Sequence, residues 1–399
     1  RGRWLALTLI YDVDADGVLD LVTGAPEAGT TSQGANAGAV LSFPGNSVGW
    51  SSAGAEILGG HPSHSYSDRF GHAVASVGDF DGDGYRDLAV VARKDDRPSS
   101  FSSSYFDSYD CGESTSQVGA VLVYAGSAEG LEEDPAFIAH GFDSGGFIYV
   151  VAGGFDHDGD GYDDLVISSE GWDPAGGFSV VYGRGRRATR PEPICDDEKV
   201  LGFSSFDRLG ASVTGLGDLD GDGCDELAVG ASGEQFDSDW SDQGVVRVLW
   251  GHGGAGCPAD PKVTTLTPYV IGTGAGTALA GGGDIDGDGV PDLVVGAATF
   301  RQDLAEVGAA WVVPGSYILS QPRDELVGGQ LPDHDDTSHV DLLPLDGLAL
   351  QHGVFGSFAG GRFGAAVAVV ADPVDAGRSA VLVGAPAGAF GGTSLAGGV

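Results

Sequence analysis

The sequence predicts an all-β protein, a β-propeller built of four-stranded antiparallel blades. Three observations predict it: a nine-residue aspartate-rich loop that recurs along the chain, short β-branched apolar runs on both sides of each copy, and glycine-bounded strands that keep the same phase. No window shows sustained helical periodicity.

The loop is clearest at Asp79-Phe-Asp81-Gly-Asp83-Gly-Tyr85-Arg-Asp87, where four carboxylates share nine positions. So many like charges in one short segment repel, and a compact form needs a cation to neutralise them. Positions 1, 3 and 5 offer carboxylate oxygens, position 7 a backbone carbonyl, and position 9 closes the sphere, while Gly84 at position 6 permits the sharp turn. An EF-hand places its last acid six residues after the glycine and needs helices on both sides. Here the last acid follows after three residues, and the flanks 73–77 and 88–91 read as strands. The loop is therefore read as a calcium-binding turn inside a β-hairpin.

Four further copies carry Asp12, Asp14, Asp16, Val18 and Asp20; Asp156, Asp158, Asp160, Tyr162 and Asp164; Asp218, Asp220, Asp222, Cys224 and Glu226; and Asp284, Asp286, Asp288, Val290 and Asp292. About five calcium ions are expected, one per loop. A sixth copy begins at Asp372 but has Val374, Ala376 and Ala380 at positions 3, 5 and 9, and is expected to be metal-free. Successive copies start 62 to 88 residues apart, room for one four-stranded sheet each.

The other strands keep this phase. Second strands read Leu21-Val-Thr-Gly, Leu227-Ala-Val-Gly, Leu293-Val-Val-Gly and Leu382-Val-Gly. Third strands are opened and mostly closed by glycine, as in Gly38 to Gly45, Gly119 to Gly126, Gly244 to Gly251 and Gly308 to Gly315. Fourth strands are weakest, for example Ala55-Glu-Ile-Leu58. The units fall at approximately 1–66, 67–142, 143–204, 205–273, 274–358 and a partial 359–399, taken together as one propeller domain over 1–399. The first strand at 4–9 and the unfinished third strand at 397–399 suggest a fragment or processed product.

Phe70-Gly71 before one loop and Gly24-Ala25-Pro26 after another, with Phe363-Gly364 and Gly384-Ala385-Pro386 in the last unit, resemble the FG-GAP repeats of the integrin alpha-subunit β-propeller. The likeness spans essentially the whole chain. It implies seven blades in the intact parent, five complete and one partial here, with a six-bladed ring as the alternative. It also implies calcium in the loops between first and second strands, ligands on the opposite face, and adhesion rather than chemistry. The departures are Gly146-Phe147 and Ile167-Ser168-Ser169 in the third unit, Leu209-Gly210 in the fourth, and five intact loops where the family usually carries fewer.

Nineteen basic residues against 58 acidic ones give a formal charge of −39, which five calcium ions would bring to about −29. Nucleic acid is excluded as a partner, since phosphate binding needs a basic patch, and anionic membranes are disfavoured. No apolar run approaches the roughly 20 residues of a transmembrane helix. Weak modular calcium sites fill at extracellular rather than resting cytosolic levels, so an extracellular or cell-surface location is expected. Among the cysteines, Cys195, Cys224 and Cys257 share the calcium face; a disulfide among them favours Cys224 with Cys257 slightly over pairs using Cys195, and four reduced thiols are the alternative.

Loops between second and third strands place Tyr105, Phe106 and Tyr109, Trp172, and Phe236 and Trp240 on the face opposite the calcium. Aromatics amid Ser, Asp and Gly suit a protein epitope or the apolar face of a sugar. The alternative for each ring is that it caps its own blade. No nucleophile elbow, zinc-protease helix or phosphate loop is present, and the chain is read as having no catalysis of its own. The alternatives are a lectin, or the scaffold or appended domain of an extracellular hydrolase or lyase using the His334 and His339 cluster at 333–341.

Overall fold

A computed structural model describes residues 6–10, 12–28, 38–46, 49–50, 56–59, 69–93, 119–140, 148–169, 175–186, 192–194, 198–202, 207–234, 243–268, 273–302, 305–326, 340–342, 353–355, 362–371 and 378–386. The chain divides into two compact units, one of Arg1–Asp156, Gly161–Asp173 and Phe178–Lys199, the other of His157–Asp160, Pro174–Gly177 and Val200–Val399.

The first unit holds two antiparallel meanders and most of a third, each running strand to strand in chain order. The first runs Ala6–Ile10, Asp20–Gly24, Ala39–Phe43 and Glu56–Gly59. The second runs Phe70–Gly78, Asp87–Ala92, Ala120–Tyr124 and Phe137–His140, with Glu192–Ile194 added in parallel at its edge. The third is built on Val150–Phe155, Asp164–Ser169, Gly177–Val181 and Glu198–Leu201.

The second unit repeats the plan. Its first sheet runs Leu209–Gly217, Glu226–Ala231, Val245–Trp250 and Lys262–Pro268, with Asp324–Glu325 and Val340–Leu342 added to the last strand. The next runs Ala278–Gly283, Asp292–Ala297, Ala309–Val313 and Gly353–Phe355, and a hairpin pairs Ala366–Ala371 with Ser379–Gly384. The single described helix, Gly315–Leu319, is five residues long, too short to leave a periodic signal in the sequence.

Burial follows strand order. Asp87–Ala92 and Ala120–Tyr124 are buried along their whole length, whereas Phe70–Gly78 is buried only at its ends. The second and third strands of the second, third and fourth sheets are covered on both faces, which is why they read as continuous apolar runs rather than as alternation. Their cores gather Val22, Val40, Phe70, Leu88, Val90 and Leu122 in the first unit, and Val246, Val248, Trp250, Leu293, Val295 and Trp311 in the second. Each fully buried side chain of this size contributes about 1.5–3 kcal/mol.

The two glycine signatures have one physical cause. A Cβ at Gly24 would lie 2.1 Å from the carbonyl oxygen of Gly71, one at Gly230 would lie 2.2 Å from that of Gly276, and one at Gly296 would lie 2.2 Å from that of Gly364. The glycine that opens one repeat thus packs, backbone on backbone, on the second-strand glycine of the repeat before it. Gly71, Gly276 and Gly364 also have φ of +78°, +80° and +81°, which other residues adopt only with strain.

Candidate metal centres

Each aspartate-rich loop joins the first and second strands of a hairpin, as the sequence implies. In four of the five, a register shift near a left-handed glycine (Gly78, Gly154, Gly217 or Gly282) turns the strand into the loop.

Inside the loops the same hydrogen bonds recur. The carboxylate at position 1 accepts from the backbone N–H of the position-6 glycine in all five: Gly17 to Asp12, Gly84 to Asp79 at 3.0 Å, Gly161 to Asp156 at 2.8 Å, Gly223 to Asp218 at 3.0 Å and Gly289 to Asp284 at 2.9 Å. Position 3 accepts from the N–H of position 5, with Asp14, Asp81, Asp158, Asp220 and Asp286 taking bonds of 3.0–3.2 Å from Asp16, Asp83, Asp160, Asp222 and Asp288. Position 5 accepts from the N–H of Val18, Tyr85, Cys224 and Val290 at 2.8–3.0 Å. The carboxylates are therefore held converging by the turn itself. Each position-6 glycine has φ of +85° to +93° and open space where a Cβ would stand, so the requirement there is conformational, not steric.

Position 9 does more than close the sphere. One oxygen of Asp87 accepts from Phe80 N at 3.0 Å and Asp81 N at 3.2 Å, while the other accepts from Gly126 N at 2.9 Å, just past the third strand. Asp20 links Val13 N to Gly45 N, Glu226 links Leu219 N to Gly251 N, Asp292 links Ile285 N to Gly315 N, and Asp164 takes Gly183 N. All five carboxylates are buried. The glycine is obligatory, because a Cβ at Gly45, Gly126, Gly183 or Gly315 would lie 2.1–2.4 Å from a loop carbonyl oxygen. This explains the glycines that close third strands, and it adds Gly183, which the sequence pattern did not single out.

The side chains fit a hard divalent cation. Asp79, Asp81 and Asp87 bring carboxylate oxygens within 4.8 Å of one another, as do Asp12, Asp14 and Asp16, and Asp218, Asp220 and Glu226. Oδ1 of Asp79 is buried without a hydrogen-bond partner, a state that costs about 1–3 kcal/mol or more unless a ligand meets it. The donor set is all oxygen, which suits calcium and not zinc or copper. The third loop is divided between the two units and is described only by the bonds given above. Burial, reinforced by neighbouring acids, pushes Asp87 up to about 8, and burial likewise pushes Glu226 up to about 8. Asp14, Asp83, Asp222 and Asp292 are also raised, chiefly by burial. Without a cation, Asp87 and Glu226 are therefore drawn toward their protonated forms at neutral pH.

Cys224, at position 7 of the fourth loop, is bonded to Cys257, 33 residues on, with Cα atoms 6.0 Å apart. The preferred pairing stands and the reduced alternative does not. Cys111 and Cys195 lie outside the described residues, as do Tyr105, Phe106, Tyr109, Trp172, Phe236 and Trp240, residues 333–339 and the core of the sixth loop.

Blade-like antiparallel sheets carrying repeated oxygen-rich hairpin loops define a class, the all-β repeat proteins of propeller type. Residues 4–43, 70–97, 209–249 and 275–313 match the FG-GAP repeat model. Human integrin alpha-6 is 31% identical over 173 residues, 42% of this chain and 13% of the integrin. Integrin alpha pat-2 of Caenorhabditis briggsae is 28% identical over 251 residues, 58% of this chain and 18% of that protein. Human integrin alpha-IIb is 33% identical over 167 residues, 41% and 14% of the two chains. Four segments of the chain thus match the FG-GAP repeat, and the chain is similar to integrin alpha subunits while spanning less than a fifth of the length of these curated relatives. No helix among the described residues is long and apolar enough to cross a membrane.

Proposed function

We propose that the chain is a calcium-binding, extracellular adhesion or ligand-binding propeller that does no chemistry of its own, its repeat units acting as one domain. The observation that carries the reading is one hydrogen-bonded, ligand-ready loop recurring five times in a chain of FG-GAP repeats. About five calcium ions would each be held by positions 1, 3 and 5, the carbonyl of position 7 and the carboxylate of position 9. There they clamp hairpins, and position 9 passes the constraint on to the third strand. The similarity to integrin alpha subunits supports an adhesion role outside the cell and a protein ligand. A glycan is the second choice, and the face opposite the loops, carrying Tyr105, Phe106, Tyr109, Trp172, Phe236 and Trp240, is the proposed contact surface. The charge of −39 argues against nucleic acid.

Calorimetric titration of chelator-stripped protein tests this. About five sites are expected, and Asp83→Ala removes one and leaves the rest. A chain that stays folded and takes up no calcium refutes the metal reading. Turnover on ester or polysaccharide panels refutes the absence of chemistry, and ligand binding abolished by free sugar assigns a lectin.

A further inference from the structure

Two arginines from different parts of the chain hold the same position of two different loops. Arg186 donates from Nε to Oδ2 of Asp81, position 3 of the second loop, at 2.5 Å, and from Nη1 to both oxygens of Glu132 at 3.0 Å. Arg323 donates from Nη1 to Oδ2 of Asp220, position 3 of the fourth loop, at 2.7 Å, and its guanidinium carbon lies 3.2 Å from the centroid of the Trp250 ring. In each loop Oδ1 of the same aspartate takes the N–H of position 5.

Both arginines are positioned by backbone. Arg184 N donates to Phe80 O at 2.9 Å, seating the chain just before Arg186 on the second loop. Thr264 Oγ1 donates to Pro322 O at 2.9 Å, and Asp324–Glu325 pairs with Val263 and Lys262, so Arg323 is anchored on both sides. Among the described residues the first loop shows no such ion pair, while at the fifth the Arg378 guanidinium lies against Gly287.

We propose that Arg186 and Arg323 are resident counter-ions that divide the calcium loops into two affinity classes, with the second and fourth weak and the first tight. The proposal rests on the calcium reading above. A guanidinium at position 3 offsets carboxylate charge the cation would otherwise meet, and repels the cation itself. One unit charge a few ångströms from a divalent ion changes affinity by about tenfold even with water-like screening. The same arginine relieves repulsion among the aspartates of the ion-free loop. Its removal therefore acts oppositely on the two states.

The test is calcium titration by calorimetry on the full chain, with Arg186→Gln, Arg323→Gln and the charge-retaining Arg186→Lys and Arg323→Lys. Wild type is expected to titrate in two phases. Each Gln variant moves one site from the weak phase to the tight one, by about tenfold, and each Lys variant leaves it weak. Thermal unfolding in excess chelator provides the second readout: Gln variants melt below wild type, and the gap narrows at saturating calcium. Should Arg186→Gln not fold, Glu132→Gln, which leaves the Arg186 charge less compensated, is expected to weaken one site, and an unchanged or tighter site overturns the proposal. A single phase of about five equal sites, unmoved by either Gln substitution, overturns it and leaves the calcium reading standing. No uptake by folded wild type removes both.

Discussion

Calcium binding should expel protons, and the number should fall steeply with pH. Burial holds Asp87 and Glu226 at about 8 in the metal-free loops. At pH 6 each is about 99% protonated, and a bound cation requires the carboxylate, so these two groups alone release about two protons per chain. The raised Asp14, Asp83, Asp222 and Asp292 can only add to that. At pH 9 each of the two is about one-tenth protonated, and their release drops to about 0.2. Calorimetry at each pH, in two buffers of different ionisation enthalpy, counts the protons directly. Stability carries the same signature. A folded-state value above the unfolded one means the folded chain binds more protons, so metal-free protein should lose stability as pH rises from about 4 to 8, and saturating calcium should abolish that loss. Release of less than about half a proton at pH 6 refutes the reasoning. It would mean that the three backbone N–H groups on Asp87 outweigh its burial and keep it ionised.

Gly126→Ala would place a Cβ 2.4 Å from Arg86 O and disturb the bond from Gly126 N to Asp87, so chemical denaturation should show a loss of about 2 kcal/mol or more, together with weakened calcium uptake at the second loop. Replacing Cys224 and Cys257 together by Ser opens a link across 33 residues, for which chain entropy gives a loss of about 3–4 kcal/mol, measurable as a lower denaturation midpoint; an unchanged midpoint would mean the loop is held without it.

The hairpins and loops were legible because their signals are local. Asp79 to Asp87 span nine positions, and the turn hydrogen bonds join residues two to five apart. The work of position 9 was not legible. Its partners Gly183, Gly45 and Gly126 lie 19, 25 and 39 residues away, and the pattern recorded the glycines without saying what required them. Arg186 and Arg323 meet their aspartates across 105 and 103 residues, with no motif around them. Cysteine spacing left a reduced protein open, and only the approach of Cys224 to Cys257 decides it. Ile167-Ser168-Ser169 departs from the repeat signature yet forms a fully buried strand end, since backbone pairing with Val150 and Val151 tolerates serine where a family pattern does not.

The glycine contacts at Gly24 with Gly71, Gly230 with Gly276, and Gly296 with Gly364 pack main chain on main chain, with Ser212 Oγ adding a bond to Gly276 O at 2.7 Å. A junction written mostly in backbone atoms depends little on the side chains on either side, so neighbouring repeats at these junctions are only loosely bound to change together. Such a joint is a standard coupling. A repeat can be copied and inserted beside another without redesigning the interface, and its loops can then drift in length and composition, as the spacing of 62 to 88 residues and the ligand-poor sixth loop record.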